Sequence, residues 1–389
     1  MATRHEVLVR IGAEGTVVRS WDEVTITRDM LSAGSPWTVT LWRQGRSDSW
    51  DTIRDVARGL APVSVEIDGA PQLRGTIERI RDGASRSGAP LTLSGRDAIA
   101  AAMVSDVDPS LSLRGATLEE VAERALAPLG LGVVIGADAD DARAIQAGAR
   151  PGARTTRRKR RGHHVDRFKP KPGEKVWPFI EALCRRHGFL VWPVPYGSGA
   201  GLVIDRPAYD SPATQSLVRR RVRTSDSGAT WEGNLLSGFR DLDVTEVPTE
   251  VTVFGHASLT ARKDARHRAT VLNERLAHAR IADVYTPRPR YIRDTRARTP
   301  QIAEQRARIE LAHANASLES YEATVQGFSN AGRLWTVNTM VNLDDELTRA
   351  TGAWLVTRVT FSRSRASGHT TTLRLVPRGA LVVEPDPEV

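Results

Sequence analysis

The C-terminal stretch 321–377 sets the tightest limit on what this chain can fold into. It reads YEATVQGFSNAGRLWTVNTMVNL, then a short polar link, then GAWLVTRVTFSRSRASGHTTTLRLVP. Val325, Trp335, Val337, Met340, Leu355, Val359, Phe361, Leu373 and Leu375 fall mostly at two-residue spacing, with polar residues between them. That period puts the apolar side chains on one face of a strand and the polar ones on the other. Residues 329–332 and 364–368 are turn-rich gaps between the runs. The stretch therefore predicts four or five antiparallel strands forming a small barrel or half-barrel, ending at Pro377.

A chain of 389 residues is long enough for two or more domains with their own cores. The single cysteine, Cys184, excludes an intrachain disulfide framework and a cysteine-based zinc site. It sits in an apolar helical run and reads as a buried structural thiol. The start, MATRHEVLVRIG, lacks a basic-then-apolar leader, and no run approaches the ~20 apolar residues of a membrane span. The expectation is a protein made in the cytoplasm, with no membrane span. The net charge of +9 is concentrated: residues 154–171 hold nine Lys and Arg against Asp166 alone, which is +8 of the +9.

Taken in order, residues 1–104 read as a first β domain. Val7, Val9 and Ile11 alternate, as do Val24 and Ile26, and then Trp37, Val39 and Leu41. A short helix follows around 50–59. Val63, Val65 and Ile67 lead into Asp68-Gly69, a strong hairpin signal. The return strand needs a bulge or slip near Gly75 to keep its face. A strand at 91–93 and a helix at 98–103 close the domain.

Residues 105–230 read as an α/β domain. Its first helix, 117–129, has Thr117 as N-cap and Glu120 three residues on, a capping box. Residues 137–166 read as an extended basic loop, and a second helix, 175–187, turns Trp177, Ile180, Leu183 and Cys184 inward. Residues 231–258 and 321–380 read as a second β domain. The intervening 259–320 is a basic segment plus a helix capped by Thr299 with Pro300 at its first position. Residues 381–389 are a tail. The class is α+β and β-rich, with a loose duplication of β domains at the two ends.

Catalytic signatures are missing: no Gly-x-Ser-x-Gly elbow, no Walker loop and no dinucleotide fingerprint. The pairs Glu119-Glu120 and Asp344-Asp345 read as solvent-facing charge. His163-His164 cannot share a strand or helix face, and other histidines lack a carboxylate at catalytic spacing, so no metal, cofactor or catalytic site is expected. The nine tryptophans read as core or interface anchors.

The basic run Arg157, Arg158, Lys159, Arg160 and Arg161 has three readings. As a nucleic-acid module acting through 154–171 it would bind phosphate in a salt-dependent way, but it lacks interleaved aromatics. As a docking arm it would meet an acidic neighbour, and as a solvated loop it would do nothing specific. Docking is the working expectation. Arg288, Arg290, Tyr291, Arg293 and Arg296 form a second candidate docking segment, since arginine makes forked hydrogen bonds to carboxylates. A glycan-binding accessory is a remaining alternative.

Four stretches in order resemble the central hub proteins of contractile phage tails, the Mu-like tail protein P and late-control D family. They are VSVEIDGAPQLRGTIERI with LTLSGRDAIAAAM; KPKPGEKVWPFIEALCRRHGFLVW; PRPRYIRDTRARTPQIAEQRARIELAHANA; and YEATVQGF through TTTLRLVP. The resemblance spans the chain apart from about 137–166. It implies two tube-like antiparallel β-barrels with inserted α/β domains, similar to the hub half of the type VI secretion spike protein. It also implies a homotrimer adapting a trimeric central spike to a hexameric tail tube, without enzymatic turnover. Further implied partners are the tail tube or tube-initiator protein, baseplate wedge proteins and the tape measure protein. The implied place is a virion tail baseplate or tail-like particle, assembled in the host bacterial cytoplasm.

Overall fold

The computed structural model describes residues 5–381 apart from 19–20, 44–47, 85–87, 112, 136–163, 187, 197–198, 225–227, 257–265, 277–286, 295–296, 298 and 365–367. The first β unit comprises β1 (Val7–Ile11), β2 (Thr16–Val18), β3 (Glu23–Asp29), β4 (Pro36–Arg43), β5 (Pro62–Ile67), β6 (Ala70–Asp82) and β7 (Ala89–Asp97), with α1 (Asp48–Val56) between β4 and β5. Its period-two residues Val7, Val9, Ile11, Val24, Ile26, Trp37, Val39, Leu91 and Leu93 are all buried. At the β5–β6 turn Asp68 and Gly69 both have positive φ, 51° and 78°, as a two-residue type I′ hairpin requires. β6 is irregular on both sides of Gly75, at Gln72 against β5 and between Ile77 and Arg79 against β7. Gly75 serves close approach instead: a Cβ there would lie 2.0 Å from the Arg96 carbonyl oxygen, and one on Gly95 2.0 Å from that of Thr76. For the same reason β7 does not stop at Ser94 but runs on to Asp97.

The middle segment contains α2 (Ala100–Val104), β8 (Leu113–Thr117), α3 (Leu118–Leu126), β9 (Gly132–Ile135), β10 (His164–Phe168), α4 (Val176–Arg186), β11 (Leu190–Tyr196) and β12 (Gly199–Asp205). Both capping-box bonds at Thr117 and Glu120 are made, and Gly130 ends the following turn at φ 66°. Val121, Leu126, Ile180, Leu183 and Cys184 share one core with Leu202 and Ile204. Burial raises the Cys184 thiol far above its ordinary range, leaving no nucleophile there.

The second β unit comprises β13 (Gln215–Thr224), β14 (Gly228–Gly233), β15 (Leu235–Leu242), β19 (Glu319–Gln326), β22 (Met340–Asp345), β23 (Ala350–Ser364) and β24 (Gly368–Pro377). Between β15 and β19 lie β16 (Glu250–His256), β17 (Arg266–Leu272), β18 (Pro289–Asp294) and α5 (Pro300–Asn315). β20 (Ser329–Asn330) and β21 (Arg333–Leu334) form a small hairpin of their own.

The first unit runs β2-β1-β5-β6-β7-β4-β3, and the second β14-β13-β22-β23-β24-β19-β15. Numbering each unit's strands in chain order, these are the same sequence of neighbours. One pairing differs in sense: β1 and β5 are antiparallel, whereas β13 and β22 are parallel. The two units are joined edge to edge by antiparallel pairing of β3 with β23, from Glu23↔Ser364 to Asp29↔Arg358. The result is one branched 14-stranded mixed sheet and a shared core, not two separately closed, wholly antiparallel ladders. β3 adds to β23 along residues 358–364, where β22 has ended, so the ladder runs on from one unit into the other instead of ending at a barrel seam. The β-rich α+β class stands.

Candidate partner-docking surfaces

The basic segment before α5 contributes two strands, β17 and β18, to a sheet. β18 pairs in parallel with β16, whose other edge takes β17. The inner face presents Val251, Val253, Ala269, Val271 and Ile292 to Ala303, Ala307 and Leu311 of α5 and its flanks. Gly255 allows this packing, because a Cβ there would meet the Ala297 carbonyl oxygen at 2.3 Å. The sequence hid these strands because their outward face mixes Arg268, Thr270 and Arg293 with Leu272 and Tyr291, which blurs the two-residue apolar period.

The predicted docking residues of this segment separate into two kinds. Arg288 and Arg290 donate to backbone carbonyls of their own fold: Arg288 Nη1 to Val244 (2.5 Å) and Thr245 (3.4 Å), and Arg290 Nη2 to Glu246 (3.3 Å). These two arginines hold a turn. Tyr291 and Arg293 lie on the open face, Tyr291 62% exposed and its ring 6.2 Å from that of Phe254. Phe254 and Leu272 on the same face are also exposed, so the face is mixed aromatic and basic, a composition suited to protein contacts. Arg157, Arg158, Lys159, Arg160, Arg161 and Arg296 lie outside the described residues.

Buried charge serves structure. Asp345 is fully buried, contrary to the expectation of a solvent-facing Asp344-Asp345 pair. Its carboxylate accepts from Arg219 Nε (2.8 Å) and Nη2 (2.6 Å), from the Tyr321 hydroxyl (2.5 Å) and from Thr348 Oγ1 (2.6 Å). Burial pushes its pKa up, but these donors outweigh that and hold it at about 2. Asp97 accepts from the Ser35 and Ile99 amides at 2.5 and 3.0 Å. Burial is the stronger influence there and raises it to about 6, while burial lowers nearby Arg28 to about 10. His5 meets Asp68 at 2.5 Å and stacks on Phe328, tying the first unit's hairpin to the second. That carboxylate partner was not visible in the spacing, since the two residues are 63 apart. Among the described residues no three His, Cys, Asp or Glu side chains converge as metal ligands would, and no helix is long and apolar enough to cross a membrane.

Residues 7–97 match the family described as Mu phage baseplate assembly protein GpP-like, N-terminal. Over these residues the resemblance to the Mu-like tail protein P family is borne out. That family is one of baseplate structural proteins, not enzymes. Solved structures extend the likeness of fold to nearly the whole chain. The 43 kDa tail protein of prophage MuSo2 from Shewanella oneidensis is 19% identical, with a TM-score of 0.70, covering 97% of this chain and 99% of that one. The tail protein from Neisseria meningitidis MC58 is 20% identical, with a TM-score of 0.74 and coverage of 97% and 98%. An E. coli component of the type VI secretion system, described as structurally similar to T4 tail proteins gp27 and gp5, aligns at 10% identity and a TM-score of 0.51, covering 98% and 79%. No curated protein sequence matches the chain.

Proposed function

We propose that this protein is the central hub of a contractile tail baseplate or tail-like particle, a homotrimer that joins a trimeric spike to a hexameric tail tube. The observation that carries the reading is the repeated strand order. One chain presents two β units of one design, so three chains present six, and partners of three-fold and six-fold symmetry can both be met by one ring. The whole-chain likeness to tail proteins supports it. Each unit is read as tube-like: its ladder begins and ends on strands that follow one another in the chain, β2 with β3 and β14 with β15. A covalent link thus bridges the place where the ladder stays open.

The work is mechanical, with large buried contacts and no turnover. The face carrying Phe254, Leu272, Tyr291 and Arg293, together with the basic run 157–161, is assigned to contacts with neighbouring tail proteins: spike, tube or initiator, wedge and tape measure. If particles assembled normally with 157–161 replaced by Gly-Ser, the basic run would have no docking role. For the hub itself the test is mass in solution by light scattering. A value three times 42.6 kDa is expected; a monomer at every concentration and salt would count against it.

A further inference from the structure

The free edges of the two β units fit each other. Within the chain, β3 of the first unit adds to β23 of the second along residues 358–364, beyond the point where β22 has ended. The counterparts of β3 and β23 in the repeated order are β15 and β6. Among the described residues β15 pairs only with β19, and β6 pairs with β5 only as far as Thr76. Residues 78–82 are all exposed. We propose that β15 of one copy pairs antiparallel with the end of β6 in a second copy of this chain, repeating between chains the junction that β3 and β23 make within one. The proposal rests on the ring reading above and deepens it by naming the contact.

The equivalence extends to single residues. Both long strands bulge one residue before the junction, between Ile77 and Arg79 in β6 and between Val356 and Arg358 in β23. Just before it, Ile77 exchanges backbone bonds with Leu60 and Ala61, as Val356 does with Asn338 and Thr339. Leu60 and Asn338 both have positive φ, 65° and 56°. Thus Arg79 corresponds to Arg358, Ile80 to Val359, Arg81 to Thr360 and Asp82 to Phe361. Following the ladders from Ile77 through Gly95 and Trp37 to Ile26, and from Val356 through Leu375 and Tyr321 to Arg240, places Arg240 at Ile26 and so Asp241 at Thr27, Leu242 at Arg28 and Asp243 at Asp29.

Carrying the observed register across sets Asp243 against Arg79, Leu242 against Ile80, Asp241 against Arg81 and Arg240 against Asp82. Three pairs join opposite charges, of which Asp82 and Arg240 also meet Arg54 and Glu319 within the chain, and the fourth joins two apolar side chains exposed in the single chain. The first reproduces an ion pair already present, Arg358 Nε to Asp29 Oδ2 at 2.7 Å. Asp29 and Asp243 also use Oδ1 alike, accepting from the amide two residues on at 2.9 and 2.8 Å. A mere unpaired edge predicts none of this complementarity. Because the contact joins two different surfaces, it propagates head to tail and closes into a ring when the rotation allows.

The test is a cysteine pair, Leu242→Cys with Ile80→Cys, in the full chain, where the only native thiol is buried. Directly opposed residues on antiparallel strands come within disulfide range. Oxidation should give bands of two and three linked chains on a non-reducing gel, lost on reduction, while each single variant runs as one chain. Independently, Asp243→Arg and Arg79→Asp should each weaken association by roughly tenfold or more, and the double swap should restore it. An oligomer by light scattering that neither cross-links nor shows the charge rescue overturns this pairing and leaves the ring reading standing. A monomeric parent protein overturns both, and cross-linking by Leu242→Cys alone would replace the head-to-tail contact with a symmetric one.

Discussion

Asp345→Asn is the substitution whose cost the structure fixes best. The carboxylate has no solvent exposure and accepts from Arg219, Tyr321, Thr348 and the Leu347 amide, joining β13, β19, β22 and the turn that follows. Its pKa is about 2 against an ordinary 3.8; at about 1.4 kcal/mol per unit, ionisation in the folded state contributes about 2–3 kcal/mol. Asparagine also leaves Arg219 without its counter-charge, and removing one partner of a buried pair costs about 3–5 kcal/mol. A loss of about 3–5 kcal/mol is therefore expected at neutral pH. Because the folded pKa lies below the unfolded one, the carboxylate's contribution is complete above about pH 4 and fades as pH falls through about 2. Urea unfolding of parent and variant from pH 7 to pH 2 measures this. A gap under about 1 kcal/mol at pH 7, or one that does not narrow in acid, would refute the assignment.

Other positions make shorter predictions. Gly95→Ala drives a Cβ to 2.0 Å from the Thr76 carbonyl oxygen, so a loss of more than about 3 kcal/mol is expected in thermal unfolding; an unchanged midpoint would show that β6 and β7 can separate there. His313 is held at about 3 by burial, then by Arg185 and Arg306. Its folded pKa is below the unfolded value, so the parent should lose stability as pH falls from about 6.5 toward 3. His313→Gln should lack that component in a pH series of urea midpoints, and an identical pH profile would contradict it. Tyr291→Ala with Arg293→Glu should leave the unfolding free energy within about 0.5 kcal/mol of the parent yet reduce co-purification with tail partners; retained binding would remove this face from the docking account.

What could be read in the sequence follows from where side chains face. β1, β4 and β5 alternate cleanly because one face of each meets the core, β23 does so over Val359–Ser364 after burying Trp354–Thr357 on both faces, and α3 announces itself through a capping box. β13 is not legible because its run of arginines hides Leu217, which is fully buried, and arginines mask β17 and β18 in the same way. Asp345 looked like surface charge because its partners Arg219 and Tyr321 are 126 and 24 residues away. The junction of β3 with β23 spans more than 300 residues and has no local signature. Of the candidate docking residues, Tyr291 and Arg293 face outward as the segment's composition suggested. Arg288 is exposed as well and Arg290 half-buried, and both guanidinium groups also donate to carbonyls of the 244–246 turn.

The central claim is a three-fold ring of six β units, and electron-microscope class averages of the purified protein viewed along its axis test it most directly. The account predicts a closed ring with six lobes of similar size and three-fold symmetry. A two-fold particle, an open filament, or a ring with three lobes would contradict it.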